Sequence, residues 1–249
     1  MQDFDPEAAT DDIIRFIRKF FRDSGGKTAV IGMSGGKDST IVAALCAEAL
    51  GKENVIGVIL PEGGMKDRGD AVLATELYCG RRYVFDIKGL TSYVHMSHLN
   101  VTDLPITDVA KTNLPARMRM AVLYFITQCL EHGRVANTCN LSENWVGYAT
   151  RYGDGAGDFA PLHDFTVQEV KAIGHYLGVP EDLVEKVPDD GLCGKTDEDN
   201  LGFTYEVLDR YIRTGECDDP ETKARIDELH ARNLFKLEPM PYCRNGWYV

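Results

Sequence analysis

The sequence predicts an α/β protein: a doubly wound, mostly parallel sheet with helices on both faces and a helical C-terminal extension. Three observations carry this. Strand-like and helix-like segments alternate along the first half of the chain. The strand segments are apolar at successive positions, so both of their faces must be covered. The first of them runs through a glycine turn straight into a helix, the place where parallel α/β sheets bind ligands.

The elements follow in order. Thr10, Asp11 and Asp12 open an amphipathic helix with Ile13, Ile14, Ile17, Phe20 and Phe21 at helical spacing, closed by Gly25 and Gly26. Residues 28–33 read as a short buried strand, and a helix over 38–50 is stopped by Gly51. Residues 54–60 form a second buried strand ended by Pro61; a helix near 70–79 and a short strand at 83–87 come next. A long helix covers 110–130, with Pro115 a candidate break, and 134–139 is a further strand. Gly and Asp break the pattern at 153–158. Thr166-Val-Gln-Glu169 is a capping box that starts a helix with Val167, Val170, Ile173 and Leu177 inward. Residues 187–200 are acidic, contain Gly and Pro and lack periodicity, which predicts a mobile loop. Helices near 205–213 and 220–232 precede an irregular tail. There is no internal repeat. The organisation expected is one domain over 1–249, with a core at 27–180, the loop at 187–200 and the extension at 201–249.

Composition narrows the function. The 249 residues are 44% hydrophobic and 27% charged, which suits a chain with a real core and excludes low complexity and wholesale disorder. With 27 basic and 39 acidic residues the net charge is −12. That sign opposes nonspecific nucleic-acid or anionic-membrane binding, so an anionic ligand would need a local pocket. The seven cysteines include no C-x-x-C pair, against the usual zinc and dithiol signatures and in favour of plain thiols in a reducing compartment. The acidic N-terminus is unlike a targeting peptide, and no apolar run approaches the ~18 residues of a membrane span. The expectation is a soluble cytoplasmic protein with neither nucleic acid nor membrane as a partner.

Gly32-Met-Ser-Gly-Gly-Lys-Asp-Ser39 is the glycine turn. Gly35 and Gly36 let the backbone present successive N–H groups to an anion at a helix N-terminus, and Ser34 and Ser39 add hydroxyls. Asp38 stands between Lys37 and Ser39, so this is neither a Walker A loop nor a G-x-G-x-x-G dinucleotide fingerprint. A carboxylate beside phosphates repels them unless a divalent cation bridges the two, and oxygen ligands suit Mg2+. The plainer reading makes the segment an ordinary turn with Asp38 as helix N-cap.

The S-G-G-x-D-S pattern resembles the pyrophosphate loop of the ATP pyrophosphatase superfamily, which splits ATP into AMP and pyrophosphate. Three further segments narrow the resemblance. Leu114-Pro-Ala-Arg-Met-Arg-Met120 is similar to A-R-x-R-M. Thr138-Cys-Asn-Leu-Ser-Glu143 with Gly147-Tyr-Ala-Thr-Arg-Tyr-Gly-Asp154 is similar to T-x-x-x-x-E…G-[FY]-x-T-[KR]-Y-G-D. Asp197-Glu-Asp-Asn-Leu-Gly-Phe-Thr-Tyr205 is similar to D-E-x-x-L-G-x-x-Y. In this order, over about residues 32–236, they resemble NAD synthetase.

The resemblance implies an ammonia-dependent enzyme that adenylates and then amidates deamido-NAD, acting as a homodimer. It assigns ATP and its pyrophosphate to Gly32, Met33, Ser34, Gly35, Gly36, Lys37, Asp38 and Ser39, with Thr138 and Asp189. It assigns deamido-NAD to Arg117, Arg151, Asp158, Phe235 and Lys236. Glu143 follows the 134–139 strand at the sheet end of the glycine turn, so that with Asp38 it completes a candidate Mg2+ site, whereas either acid alone reads as a solvated surface charge. Asp154 falls at the acid near incoming ammonia. Arg117 and Arg119, two apart on one helix, face different ways, so one is free for structural work. Two departures stand out: Val167 replaces a common lysine, whose charge Lys37 or Lys171 could supply, and Phe235-Lys236 replaces a His-Lys pair.

The chemistry accords with the parts. Adenylation turns a carboxylate oxygen into a leaving group, ammonia attacks the acyl carbon, and no protein nucleophile is needed. Asp154 is the candidate base. A glutaminase domain has no room in 249 residues, so the expectation is free ammonia, or ammonia received from a separate protein. Two rivals are a tRNA thiolase of the same superfamily, opposed by the charge and the cysteine spacing, and a nucleotide-binding regulator without turnover.

Overall fold

The computed structural model describes residues 4–186 and 197–242. Helix α1 (Pro6–Ser24) starts one turn before Thr10, because the Asp5 carboxylate caps the Glu7 and Ala8 N–H groups and Pro6 occupies the first turn. Four parallel strands follow: β1 (Thr28–Gly32), β2 (Val55–Ile59), β3 (Arg81–Val84) and β4 (Gly133–Val135), in the order β3-β2-β1-β4. Ala29 is in register with Val55 on one side and Arg134 on the other, and Val58 with Tyr83.

Alternate strand residues point to opposite covers. Ala29, Ile31, Val55 and Ile59 pack with residues of α1, α2 (Lys37–Leu50), α3 (Arg68–Tyr78) and α7 (Val167–Tyr176). Val30, Ile56 and Val58 pack with Met120, Val122 and Leu123 of α5 (Asp108–Gln128). Both faces are therefore covered, as the apolar runs require. Gly57 belongs to the first face because a Cβ there would lie 2.5 Å from Thr75 Cγ2 of α3.

Several boundaries differ from expectation. β3 lies at 81–84 rather than 83–87 and is exposed throughout, being an edge. α4 (Lys88–Val101) has no counterpart in the sequence reading, since its apolar residues face solvent: Tyr93 and Leu99 are 72% and 75% exposed. α5 passes unbroken through Pro115, which gives up one helix hydrogen bond. β4 ends early because, past Ala136, whose N–H still donates to Val30 of β1 at 3.0 Å, the chain pairs with Phe159 instead, whose carbonyl accepts the Asn137 N–H at 2.8 Å.

The remainder is helical: α6 (Leu141–Val146), α8 (Glu181–Val184), α9 (Asp197–Leu201), α10 (Tyr205–Thr214) and α11 (Pro220–Asn233), ending in a 3-10 turn, Leu234–Lys236. Of the expected loop, 187–196 lies outside the described residues, whereas 197–200 belongs to α9 and is helix rather than loop. The extension docks through Leu201, Phe203, Tyr205, Leu208 and Ile226 onto Val146 and Val167, the latter at the start of α7. The predicted capping box there is present in full.

Candidate active site

Strand order reverses between β1 and β4, and the loops leaving their C-terminal ends face one crevice, the usual ligand site of such sheets. The first loop is the glycine turn. Met33 is buried, its N–H on the Val58 carbonyl at 2.8 Å. Gly35 takes φ +80°, and a Cβ there would strike the Asp67 carbonyl at 2.4 Å, so only glycine fits. Gly36 is the N-cap of α2, without any side-chain cap, so Asp38 is not the N-cap but lies in the first turn. The loop holds its shape by hydroxyl contacts: Ser34 Oγ lies 3.2 Å from Ser39 Oγ, and Ser39 and Thr40 donate to the Gly36 carbonyl. First-turn N–H groups at an uncapped helix start attract anions.

The second loop runs from Ala136 to α6. Asn140 caps α6, accepting the Glu143 N–H at 3.0 Å, while the Glu143 carboxylate accepts the Asn140 N–H at 3.1 Å. The Asn140 side-chain amide donates to Asp38 Oδ1 at 3.1 Å. One asparagine thus holds the two expected metal acids on either side of itself. Among the described residues no group of three or more His, Cys, Asp or Glu could enclose a metal. Two carboxylates beside a phosphate loop suit a hard cation that takes its other oxygens from ligand and water. Thr138 sits half-buried in this loop, and burial with Glu143, Asp154 and Asp38 nearby pushes the Cys139 thiol far up.

The third group surrounds the loop of residues 147–158. Asp154 accepts the Thr150 N–H at 3.0 Å, and Asn137 donates to its carbonyl at 2.9 Å. Solvent reaches Asp154, yet the surrounding protein crowds it, and this desolvation raises its pKa against the pull of Thr150 and Lys236. Lys236 donates to the Gly147 and Ala149 carbonyls at 2.6 and 3.1 Å; burial lowers its pKa, opposed by Asp154. The Arg151 guanidinium donates to the Phe235 and Glu238 carbonyls and lies over the Tyr152 and Phe235 rings at 5.3 and 5.5 Å. Phe235 therefore stacks. Arg117 donates to the Arg151 carbonyl at 3.3 Å, whereas Arg119 is turned inward to Leu60, the structural member of the pair.

Asp158 stands slightly apart. It accepts the Val135 N–H at 2.7 Å and the Tyr124 hydroxyl at 3.2 Å, and burial with this neighbour pushes the Tyr124 phenol to about 12. It lines a cavity of about 310 Å³ beside β4, with Tyr124, Thr127, Gln128, His132 and Arg134. That wall had no signature in the sequence, because its residues come from a helix end and a strand start without a shared motif.

Asp189 lies outside the described residues. Val167 is buried at 2% exposure in the apolar cluster below the extension. The two lysines expected to cover for it are otherwise engaged: Lys37 is buried with its ammonium 2.8 Å from Asp38 Oδ2, and Lys171 lies 2.8 Å from Glu185. Asn140 was legible in retrospect as the N-x-x-E of a capping box.

The family model described as NAD synthase matches residues 9–240. The NH(3)-dependent NAD(+) synthetase of Archaeoglobus fulgidus is 35% identical over 242 residues, 96% of this chain and 97% of that one. Its namesake in Pyrococcus horikoshii is 41% identical over 205 residues, 81% and 77% of the two chains. Among solved structures, an NMN synthetase from Francisella tularensis superposes with a TM-score of 0.88 at 30% identity, covering 98% of this chain and 100% of that one.

Proposed function

The chain belongs to the NAD synthase family, and from that premise and the site geometry we infer an ATP-dependent, ammonia-dependent amidation of deamido-NAD to NAD. The observation that carries this is the meeting of the glycine turn, Asp38 and Glu143 at one crevice, joined by Asn140. ATP takes the glycine turn, its pyrophosphate on the first-turn N–H groups of α2 and the Ser34 and Ser39 hydroxyls, with Thr138 on the facing loop. Mg2+ held by Asp38 and Glu143 would neutralise phosphate charge during adenylation. Deamido-NAD lies along Arg117, Arg151 and Asp158, with its far end in the cavity beside β4.

The substrate carboxylate oxygen attacks the α-phosphorus of ATP, and the bond to pyrophosphate breaks. Ammonia then attacks the acyl carbon, the carbon–oxygen bond to AMP breaks, and the amide is formed. Asp154 holds ammonium and takes its proton, its raised pKa bringing it nearer to the donor. Lys236, beside it, stabilises charge on the adduct.

The reaction is carried out in the cytoplasm by a homodimer. Tyr93, Met96, Leu99 and Val101 of α4, Leu104 of the segment joining it to α5, and Val109 of α5 are all 66–82% exposed, apolar side chains of the kind that an interface covers. No helix among the described residues is long and apolar enough to cross a membrane.

The test is incubation with ATP, Mg2+, deamido-NAD and ammonium. NAD, AMP and pyrophosphate are expected in equal amounts, and release of ADP overturns the reading. The likeness to an NMN synthetase favours one second reading, amidation of the corresponding mononucleotide. The ratio of kcat/KM for the dinucleotide and mononucleotide acids decides between them.

A further inference from the structure

We propose that Lys186 is a positioning residue for ATP, locking the Gly35–Gly36 peptide so that its N–H stays turned toward the pyrophosphate; this rests on the ATP reading of the glycine turn. Lys186 follows α8, 151 residues from the turn, and donates to the Gly35 carbonyl at 3.2 Å. Its ammonium also meets Asp67 Oδ1 at 2.7 Å and Asp70 Oδ2 at 2.5 Å. Asp67 is the N-cap residue of α3, yet its side chain makes no cap hydrogen bond. An N-cap carboxylate ordinarily stabilises its helix by accepting first-turn N–H groups; here it is turned onto Lys186 instead. The Asp67 carbonyl is also the atom that a Cβ at Gly35 would strike. Gly35 is thus gripped on one side by the Asp67 backbone and on the other by Lys186, which the Asp67 side chain holds.

The peptide unit explains why this matters. In a trans peptide the C=O and the following N–H point in opposite directions. Fixing the Gly35 carbonyl on Lys186 therefore aims the Gly36 N–H away from the lysine, on the side of Ser34 Oγ, which accepts it at 3.2 Å. A Gly-Gly peptide is the one most free to rotate by half a turn, because neither residue excludes positive φ. The rotated form would place a carbonyl oxygen where the phosphate needs a donor. A charged hydrogen bond to the carbonyl disfavours that form.

The experiment compares wild type, Lys186→Met and Lys186→Arg in the full chain, following KM for ATP, KM for deamido-NAD and the dissociation constant for inorganic pyrophosphate. Lys186→Met is expected to raise the KM for ATP and the pyrophosphate constant by about tenfold or more, with KM for deamido-NAD changed less than about twofold. Lys186→Arg, which keeps a charged donor, recovers most of the loss. A triple variant, Lys186→Met with Asp67→Asn and Asp70→Asn, separates this role from simple neutralisation of two acids, and it should remain impaired. ATP and pyrophosphate affinities within about twofold of wild type in Lys186→Met, or full recovery in the triple variant, overturn the proposal. A wild type that forms no AMP and pyrophosphate instead overturns the reading beneath it. Melting temperatures of all variants identify loss of fold, in which case Lys186→Arg carries the comparison.

Discussion

The Asn140 side chain donates to Asp38 across 102 positions of sequence, joining the loop after β1 to the loop after β4. Because the Asn140 backbone N–H also binds Glu143, the spacing of the two acids depends on one residue. Asn140→Ala should lower turnover by about 10- to 100-fold, the usual effect of removing a group that orients metal ligands. Asp38→Asn and Glu143→Gln should cost at least as much while the melting temperature stays within a few degrees. Near-normal NAD formation by either acid variant at limiting Mg2+ would show the metal to bind elsewhere.

Asp154 should set an acid limit on amidation. Crowding raises its pKa, so it loses its charge, and with it the ability to accept a proton, at a higher pH than an ordinary carboxylate. With free ammonia held constant, the rate should fall about tenfold per unit below that pKa. Asp154→Asn should abolish this limb and depress amidation far more than exchange of labelled pyrophosphate into ATP. Equal loss of both would assign Asp154 to substrate binding.

Asp209 is buried in α10 and accepts the Ser142 hydroxyl and the Gln168 N–H, fixing α6 and the start of α7 to the extension. Asp209→Ala leaves those donors without an acceptor and should destabilise the fold by about 2–4 kcal/mol in urea titrations. Burial raises the pKa of Asp209 despite these bonds. A carboxyl with a raised folded pKa contributes most below its unfolded value near 3.9 and loses that contribution as pH rises through the folded one. The stability gap between wild type and Asp209→Ala should therefore narrow upward from about pH 4; a gap that widens would contradict the assignment.

The exposed apolar run on α4 and α5 should be the subunit contact. Leu99 and Val109 are 75% and 68% exposed and make no core contact that substitution would break. Leu99→Glu with Val109→Glu should halve the sedimenting mass without lowering the melting temperature of the isolated chain. An unchanged mass would place the contact elsewhere.

The glycine turn, Asp38 and the Thr166 capping box were legible because their chemistry is local: a turn or a cap is written in adjacent residues. The apolar runs at 28–33 and 54–60 likewise announced a sheet covered on both faces. α4 was missed because Tyr93, Met96 and Leu99 do not face the chain's own core, so helical spacing had no buried side to reveal. The continuity of α5 could not be read either, since Pro115 breaks a helix in isolation and only packing decides otherwise. Lys186 at Gly35 and Asn140 at Asp38 are products of strand order, which no short window of sequence contains.

The unbroken course of α5 has a mechanical meaning. At 1.5 Å per residue its 21 residues make a rod of about 31 Å. One end carries Val109 outward, the other lies beneath the sheet, and between them Arg117 reaches the Arg151 backbone while Arg119 holds the Leu60 carbonyl. A stiff rod cannot be tilted at one end alone. Whatever seats Val109 also sets the pitch of both arginines, so on the proposed reading a second copy packed against Val109 would act on Arg117 and the Arg151 loop as through one lever. Dilution that separates such copies would then loosen the crevice, and specific activity would fall with protein concentration.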